Sequence, residues 1–421
     1  MSEKKRIAII GAGFAGIAAA RALKKADAEV ILIDRRNHHL FQPLLYQVAT
    51  AALSPAQIAQ PIRAILRKQR NCTVVLGEVT GIDTARKYIR GAKGELAYDY
   101  LVLATGATHT YFGNDAWSAF APGLKSIEDA TAIRQRILSA FERAEISQSE
   151  EEQRALLTFV IIGGGPTGVE MAGAIAELAR HTLKGEFRRI NPANARVILA
   201  EGGDRVLKTF APKLSARATK DSQKLGVEVR TGHAIHECTS EGVQLGDEWI
   251  PARTLLWAAG VKASPANDWL QIAGDRAGRI PVQPDLSVEN HPDIFVVGDT
   301  AAAQNPNGTP VPGLAPAAMQ QGKYAASVIL ARLQGTEPPA AFAYKDYGTM
   351  ATIGRGKAIA QFKFGTSSGL FAWWLWGIIH MMPLVGFRNR IVVACDWLWA
   401  YLTHERGVRL ITVSQSAESE I

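Results

Sequence analysis

A short β-branched run that ends in G-x-G-x-x-G and flows into an apolar helical segment leaves a chain few options, and this sequence carries that pattern twice. Residues 7–10 precede Gly11-Ala12-Gly13-Phe14-Ala15-Gly16 and an Ala-rich segment reaching Lys25. Residues 159–162 precede Gly163-Gly164-Gly165-Pro166-Thr167-Gly168 and a helical segment over 169–178. In such a turn the first glycine permits the tight bend. The second lets backbone N–H groups approach a pyrophosphate, and the third lets helix and strand pack closely. Each unit then supplies an acid at the end of its next strand. Asp34 follows residues 29–33 at the spacing that suits the two hydroxyls of an adenosine ribose. Glu201 follows 196–200 after an interval longer than the usual ~20 residues, which an extra excursion through 181–192 explains. A carboxylate there repels the 2′-phosphate of NADPH and favours NADH, and nearby Arg205 works against that preference.

Further echoes point to an internal duplication. Residues 100–104 run into Thr105-Gly106, and 255–259 run into Gly260. Each reads as a strand leaving a mononucleotide-binding unit through a small-residue turn. Later, 293–297 form another strand run that ends in Gly298-Asp299, a carboxylate placed for the ribityl or pyrophosphate region of a flavin.

With these motifs the chain resembles the two-dinucleotide-binding flavoproteins of the pyridine nucleotide-disulfide oxidoreductase superfamily and, within them, the type II NADH dehydrogenases, single-subunit NADH:quinone oxidoreductases. The resemblance spans nearly the whole chain. Besides the two glycine loops it rests on Asn37-His38-His39-Leu40-Phe41-Gln42-Pro43-Leu44-Leu45-Tyr46-Gln47-Val48-Ala49, on Glu170 after the second loop, on Trp257-Ala258-Ala259-Gly260-Val261 and on Val297-Gly298-Asp299. It implies FAD in the first unit and NADH, as substrate, in the second. Gly11, Gly13, Phe14, Ala15, Gly16, Asp34, Arg35, Gln42, Val79, Thr105, Gly106, Gly298 and Asp299 are then expected on FAD. Gly163, Gly165, Pro166, Thr167, Gly168, Glu201 and Gly260 are expected on NADH. The implied reaction is hydride transfer to the flavin followed by two-electron reduction of a membrane quinone, without proton pumping, in a respiratory chain.

By the same resemblance Glu170 is the carboxylate near nicotinamide and flavin, although an acid in a helix's first turns also simply answers the helix dipole. The family commonly shows Ala-Gln-x-x-x-Gln beneath the flavin. Here Ala315-Pro316-Ala317-Ala318-Met319-Gln320-Gln321-Gly322 keeps the last glutamine and has Pro316 in place of the first, a residue that suits a first helical turn but has no amide for a quinone. Gln320 and Gln321 remain the candidates at the flavin.

The expected architecture is α/β, with two Rossmann-like dinucleotide-binding domains and a C-terminal amphipathic helical membrane-docking segment. A discontinuous FAD domain is expected at 1–115 and 275–335, an NADH domain at 116–274 and a membrane-associating region at 340–421. Donor and flavin are expected to meet where the two nucleotide domains face each other. From 364 to 387 there is no Lys, Arg, Asp or Glu, a length able to span a bilayer, but Trp373, Trp374 and Trp376, His380, Pro383 and four glycines favour helices lying in the interface. Ile391, Ala394, Cys395, Leu398, Trp399 and Leu402 then repeat at helical spacing. An apolar homodimer interface is the competing reading of these residues.

Composition places the charge. Of the formal net +8, residues 345–409 contribute +5 beside those tryptophans, a pattern that suits an anionic membrane surface. No concentrated basic groove or reading module accompanies it, which argues against nucleic acid. The expected location is peripheral, on the cytoplasmic face of the cell inner membrane, as a homodimer. The N-terminal Lys4-Lys5-Arg6 and apolar run resemble a secretory leader, but they contain the first glycine loop, so the segment is expected to be retained. Cys72, Cys238 and Cys395 stand far apart, which removes C-x-x-C redox chemistry, cysteine-rich zinc sites and iron–sulfur ligation. That argues against the disulfide and sulfide oxidoreductases that share the superfamily. A membrane-docked sensing flavoprotein like the apoptosis-inducing-factor relatives is the other alternative. His233, His236 and Cys238 suggest a metal site, but no metal is expected, because only His236 and Cys238 would share a strand face. Residues 147–154 read as a solvated helix end or a linker between domains.

Overall fold

In the computed structural model, which describes residues 4–92 and 94–412, the chain divides into two compact units. The first takes Met1–Leu40, Ala59–Thr108 and Val261–Tyr347; the second takes Phe41–Ile58, His109–Gly260 and Gly348–Ile421.

The first unit is built on a six-stranded sheet. Arg6–Ile10 lies at its centre, parallel to Glu29–Asp34 on one side and to Tyr100–Leu103 on the other. Cys72–Leu76 extends it beyond Glu29–Asp34 and His291–Val296 extends it beyond Tyr100–Leu103, both in parallel, and the two-residue strand Ser287–Val288 closes the edge antiparallel to His291–Val296. Ile7, Ile9, Leu32, Leu101, Val102 and Phe295 are fully buried, as a parallel sheet covered on both faces requires. The helices Phe14–Ala22 and Ala315–Gln334 pack against each other over this sheet. Their approach is close: a Cβ on Gly322 would lie 2.1 Å from the carbonyl oxygen of Ala15.

The second unit repeats the plan with four parallel strands. Thr158–Ile162 lies between Arg196–Glu201 and Thr254–Trp257, and Val227–Thr231 pairs outside Arg196–Glu201. Helix Ile127–Ile146 begins in a capping box, with the Ser126 hydroxyl accepting from the Asp129 N–H and the Asp129 carboxylate accepting from the Ser126 N–H. Residues 147–149 join this helix to Glu150–Leu156, capped by Ser149. The acidic run is therefore a helix start inside the second unit, and the alternative of a linker between domains is corrected.

The last part of the chain is an antiparallel sheet, Thr349–Gly354, Lys357–Phe362 and Gly365–Ser368, followed by helices Leu370–Met381 and Phe387–Thr403. Among the described residues no helix is long and apolar enough to cross a membrane. The uncharged stretch is broken by its glycines: Gly369 (φ +80°) ends the strand and Gly386 (φ +97°) separates the helices. Residues 348–404 are part of the second unit's core, with Ala351, Ile353, Ala358, Ile359, Ala360 and Val393 wholly buried. Strand Thr349–Gly354 packs on helix Pro166–Glu177, where a Cβ on Gly173 would fall 1.8 Å from the Ile353 carbonyl oxygen.

Replacing Gly322 with Ala is expected to force Phe14–Ala22 away from Ala315–Gln334 and to cost about 1–3 kcal/mol, as overpacking does. Thermal denaturation of the purified protein measures this, and an unchanged midpoint would contradict the helix contact described.

Candidate functional site

The first glycine loop is held by geometry that only glycine allows. Gly11 has φ +99°, and its added Cβ would lie 2.3 Å from the Ala104 carbonyl oxygen. On Gly16 a Cβ would lie 1.8 Å from the Gly11 carbonyl oxygen, so the helix Phe14–Ala22 could not start where it does. Above Gly13, by contrast, a Cβ would meet nothing within 4 Å. This open side faces the start of a helix whose first N–H groups have no intrahelical partner, a cradle for a pyrophosphate.

Asp34 closes the loop: its carboxylate accepts the Ala12 N–H at 2.6 Å and the Arg36 N–H at 2.7 Å. Two such bonds leave lone pairs for ribose hydroxyls. Arg35 beside it is exposed. Phe14 meets the buried His39 ring edge-on at 5.2 Å, and His39 Nδ1 is bonded to the Ala12 carbonyl at 2.9 Å. Burial lowers the His39 pKa, which keeps the ring neutral and Nδ1 the donor.

At the other strand ends, Thr105, Gly106, Ser264 and Thr300 form one network. Ser264 Oγ donates to Thr105 Oγ1 at 2.6 Å, and Thr300 Oγ1 donates to the Gly106 carbonyl at 3.1 Å. Among the described residues the Asp299 carboxylate has no protein partner. Val79 is buried at the start of Val79–Asp83, and Gln42 Nε2 donates to the Lys125 carbonyl at 3.2 Å.

The second loop reproduces the first atom for atom. Gly163 has φ +113°, a Cβ on Gly168 would lie 1.8 Å from the Gly163 carbonyl oxygen, and Gly165 is open above. Glu201 accepts the Gly164 N–H at 2.8 Å and the Gly203 N–H at 2.8 Å, the counterparts of the two Asp34 bonds. Pro166 opens the helix Pro166–Glu177, and Thr167 is exposed next to it. Gly260 lies under Phe112, and its carbonyl accepts from the Thr110 N–H at 3.3 Å. Arg205 is paired with Asp204 at 3.1 Å, whereas Lys208 Nζ stands 3.8 Å from Glu201. The cation nearest Glu201 is thus Lys208, which the sequence reading did not single out. A lysine seven residues beyond an acid carries no pattern of its own.

Gln320 and Gln321, on the helix Ala315–Gln334, both have their amide oxygen engaged by backbone. Gln320 accepts from the Lys345 N–H and donates to the Lys345 carbonyl, both at 2.9 Å. Gln321 is buried and accepts from the Gly298 N–H. Both tie this helix to neighbouring backbone.

A cavity of about 480 Å³ lies within the second unit. Its walls come from Leu45–Ala49, Pro166–Glu177, Thr349–Gly354 and the two C-terminal helices. Trp373, Trp374, Trp376, Trp397, Met381 and Leu398 make most of it apolar. Glu170, Glu177, Tyr46 and Gln47 are among the polar groups, together with His181, Arg355, His404 and Arg406. Glu170 keeps some exposure toward the cavity, yet the packing around its carboxyl desolvates it and pushes its pKa up to about 8, with the Thr352 backbone bond opposing. Tyr46 is held well above its ordinary range by burial and then by the Glu170 charge.

At the cavity's far side Arg406 donates to the Thr50 carbonyl at 2.8 Å and pairs with Glu177 at 3.6 Å. Trp376 Nε1 is buried without a partner among the described residues. Tyr46, Gln47, Trp397 and Arg406 were not picked out as site residues from the sequence. The only available signal was the presence of Tyr46 and Gln47 in the 37–49 segment.

The expectation that His236 and Cys238 share a strand face is corrected. A bulge between Ile235 and Glu237 breaks the strand alternation, leaving His236 exposed and Cys238 buried, so the two do not share a face. The three cysteines are free, and burial pushes Cys72 up to about 11 and Cys238 up to about 12. Both are poor thiolates.

Two glycine cradles, each with a helix N-terminus and a strand-end acid, define a two-dinucleotide oxidoreductase. Residues 5–322 match the family described as pyridine nucleotide-disulphide oxidoreductase, and 347–404 match the NDH2 C-terminal domain. Type II NADH:quinone oxidoreductase Ndh of Mycobacterium tuberculosis is 46% identical, with 98% of this chain and 92% of that protein covered. NdhA of the same organism is 43% identical, with 97% and 90% covered. NDH2 of Plasmodium falciparum, solved with NADH, shares the fold at TM-score 0.89 and 20% identity, covering 98% of this chain and all of that one. The chain belongs to the type II NADH:quinone oxidoreductase family.

Because the folded chain holds the Glu170 proton up to about pH 8, against 4.5 for an ordinary glutamate, it binds that proton more tightly than the unfolded chain does. This contribution to stability is complete below pH 4.5 and is lost as pH rises toward 8. Glu170→Gln is expected to flatten the fall of the melting temperature across that window. Parallel slopes in the two proteins would contradict the buried, neutral carboxyl.

Proposed function

We propose that this chain oxidises NADH and reduces a quinone to the quinol, taking up one proton from solution for each NADH. FAD in the first unit supplies the two-electron chemistry between a hydride donor and a quinone. The residues fit it: the open Gly13 loop and helix start accept the pyrophosphate, Asp34 the adenosine ribose, and the unpartnered Asp299 the ribityl or pyrophosphate region. In the second unit the Gly165 loop and Glu201 take NADH in the same way, and the Glu201 carboxylate favours NADH over NADPH.

The observation that carries the quinone reading is the 480 Å³ cavity, apolar walls around a few convergent polar groups, within the usual range for a small-molecule site. Glu170, neutral below about pH 8, holds a proton at a cavity wall, where it can be given to a reduced quinone oxygen. Gln320 and Gln321 act as positioning residues that fix Lys345 and the Gly298 turn. The raised Cys72 and Cys238 pKa values disfavour a disulfide or sulfide oxidoreductase, even though the sulfide:quinone oxidoreductase of Aquifex aeolicus shares the fold at TM-score 0.72 and 17% identity, with 98% of this chain and 94% of that one covered.

The C-terminal helices support peripheral docking on an anionic membrane surface, which we assign to the cytoplasmic face of the membrane. Phe371, Trp374, Ile378, Met382, Phe387 and Trp399 expose more than half of their surface, and Arg388 lies beside them. Such a patch is larger than solitary apolar residues explain and matches an interfacial helix pair. A homodimer joined through the same surface is the competing arrangement.

Steady-state oxidation of NADH is expected to accelerate with a short-tailed quinone far beyond its rate with oxygen, and NADPH to be the poorer donor. Equal rates with and without quinone would refute the activity. Because residues 348–404 form part of the second unit's core, deleting them would unroof it. The docking test is therefore Phe371→Ser/Met382→Ser/Phe387→Ser in the full chain, three exposed residues outside the cavity lining. This variant is expected to stop co-sedimenting with vesicles containing phosphatidylglycerol while keeping its activity with a soluble quinone. Undiminished sedimentation would count against docking, and a shift from dimer to monomer with unchanged sedimentation would favour the dimer interface.

A further inference from the structure

The cavity contains a hydrogen-bond chain whose direction is fixed by chemistry. Trp397, on the helix Phe387–Thr403, bonds through Nε1 to Gln47 Oε1 at 2.8 Å. An indole N–H only donates, so the Gln47 oxygen must face Trp397 and its amide nitrogen must face the other way. That nitrogen lies 2.9 Å from the Tyr46 hydroxyl, and an amide NH₂ also only donates. The Tyr46 oxygen therefore accepts, and its own proton is left to point elsewhere.

Tyr46 and Gln47 are both buried, so bulk water does not compete for that proton. The short helix Leu45–Ala49 is itself pinned, since the Tyr46 carbonyl accepts from the Thr50 N–H at 3.0 Å and from Thr50 Oγ1 at 2.9 Å. Gln47 accepts through its carbonyl from the Ala52 N–H at 2.7 Å. The helix carrying Trp397 is fastened to the same region, where Gln57 Nε2 donates to the Asp396 carboxylate. Tyr46, Gln47, Trp397 and Glu170 all line the one cavity.

We infer that Tyr46 donates its hydroxyl proton in a hydrogen bond to a carbonyl oxygen of the bound quinone, and that Gln47 and Trp397 are positioning residues that set the direction of that donation. This rests on reading the cavity as the quinone site. The bond is neutral, with no proton transferred by Tyr46, whose burial keeps it protonated. The C-terminal helix thereby takes part in substrate recognition through one indole N–H, in addition to whatever surface it covers.

Reversal of the chain tests this in the FAD-loaded full-length protein. Gln47→Glu keeps an acceptor for Trp397 and removes the donor to Tyr46, so the tyrosine proton turns toward position 47 and away from the ligand. Tyr46→Phe removes the proton. Each is expected to weaken the Kd of a short-tailed quinone, titrated at equilibrium without NADH, and to lower kcat/KM for it by about 3- to 10-fold, the range of one neutral hydrogen bond. The rate at which NADH bleaches the flavin in stopped flow is expected to stay within twofold. Trp397→Phe is expected to give a smaller loss on the quinone side alone, and Trp397→His, which restores a ring N–H, to recover part of it.

Tyr46→Phe binding quinone as tightly as the parent would overturn the donation, and a silent Gln47→Glu beside a weakened Tyr46→Phe would overturn the directional role of Gln47. If Tyr46→Phe lost FAD, Trp397→Phe must still show the quinone-side loss, or the proposal fails. Ala394→Phe, which fills the cavity, separates the two levels. Blocked quinone binding with silent Tyr46 and Gln47 variants sinks this inference and keeps the cavity reading, whereas normal binding in Ala394→Phe sinks the cavity reading itself.

Discussion

In both units a strand-end carboxylate grips the backbone of the glycine loop that precedes its helix: Asp34 holds the Ala12 N–H, and Glu201 holds the Gly164 N–H. The remaining geometry of each nucleotide cradle follows from that clamp. With the loop pulled against the sheet, the third glycine sits so near the first glycine's carbonyl that any Cβ would overlap it, and the middle glycine is left facing open space. The helix then starts where its free N–H groups can meet a diphosphate. The same carboxylate retains lone pairs, so the side chain that builds the loop can still accept a ligand hydroxyl. The paired distances, 2.6 and 2.7 Å at Asp34 and 2.8 and 2.8 Å at Glu201, make the internal duplication a matter of shared bonds as well as shared letters.

The second organising element is the packing of the C-terminal segment into the second unit. Gly173 lets the strand Thr349–Gly354 approach the helix after the second loop, and the C-terminal helices close a cavity over Tyr46, Gln47 and Glu170. Burial then does chemical work. A carboxyl that would be ionised in water is kept protonated to about pH 8, and a phenol is kept neutral beside it. The cost of desolvating these groups is tolerated where a polar ligand completes their hydrogen bonding, which is why perturbed acids gather at such sites.

Much of the fold was legible because its signals are local. Strand, glycine loop, helix and acid run from Arg6 to Asp34 in the first unit and from Thr158 to Glu201 in the second, and each step has a steric reason that survives in the letters. The C-terminal helices were legible through their spacing and tryptophans. The bulge at residues 235–237 was not, because an extra residue in one strand changes no residue type, and it parted His236, exposed, from Cys238, buried. The engagement of Gln320 with Lys345 and of Gln321 with Gly298 was likewise invisible, since a glutamine in a helix looks the same whether its amide is free or spoken for.

By itself the sequence determined two nucleotide cradles, their order and the acids that serve them, because backbone sterics at glycine and the reach of one carboxylate are properties of short segments. Only the tertiary structure decided what the C-terminal region does inside the molecule. Trp397 and Gln47 are 350 positions apart, and the direction of their hydrogen bond exists only once both are brought to one cavity wall. The proton of Glu170 was settled the same way: its pKa is set by how completely distant segments exclude water from it, a quantity that no local pattern encodes.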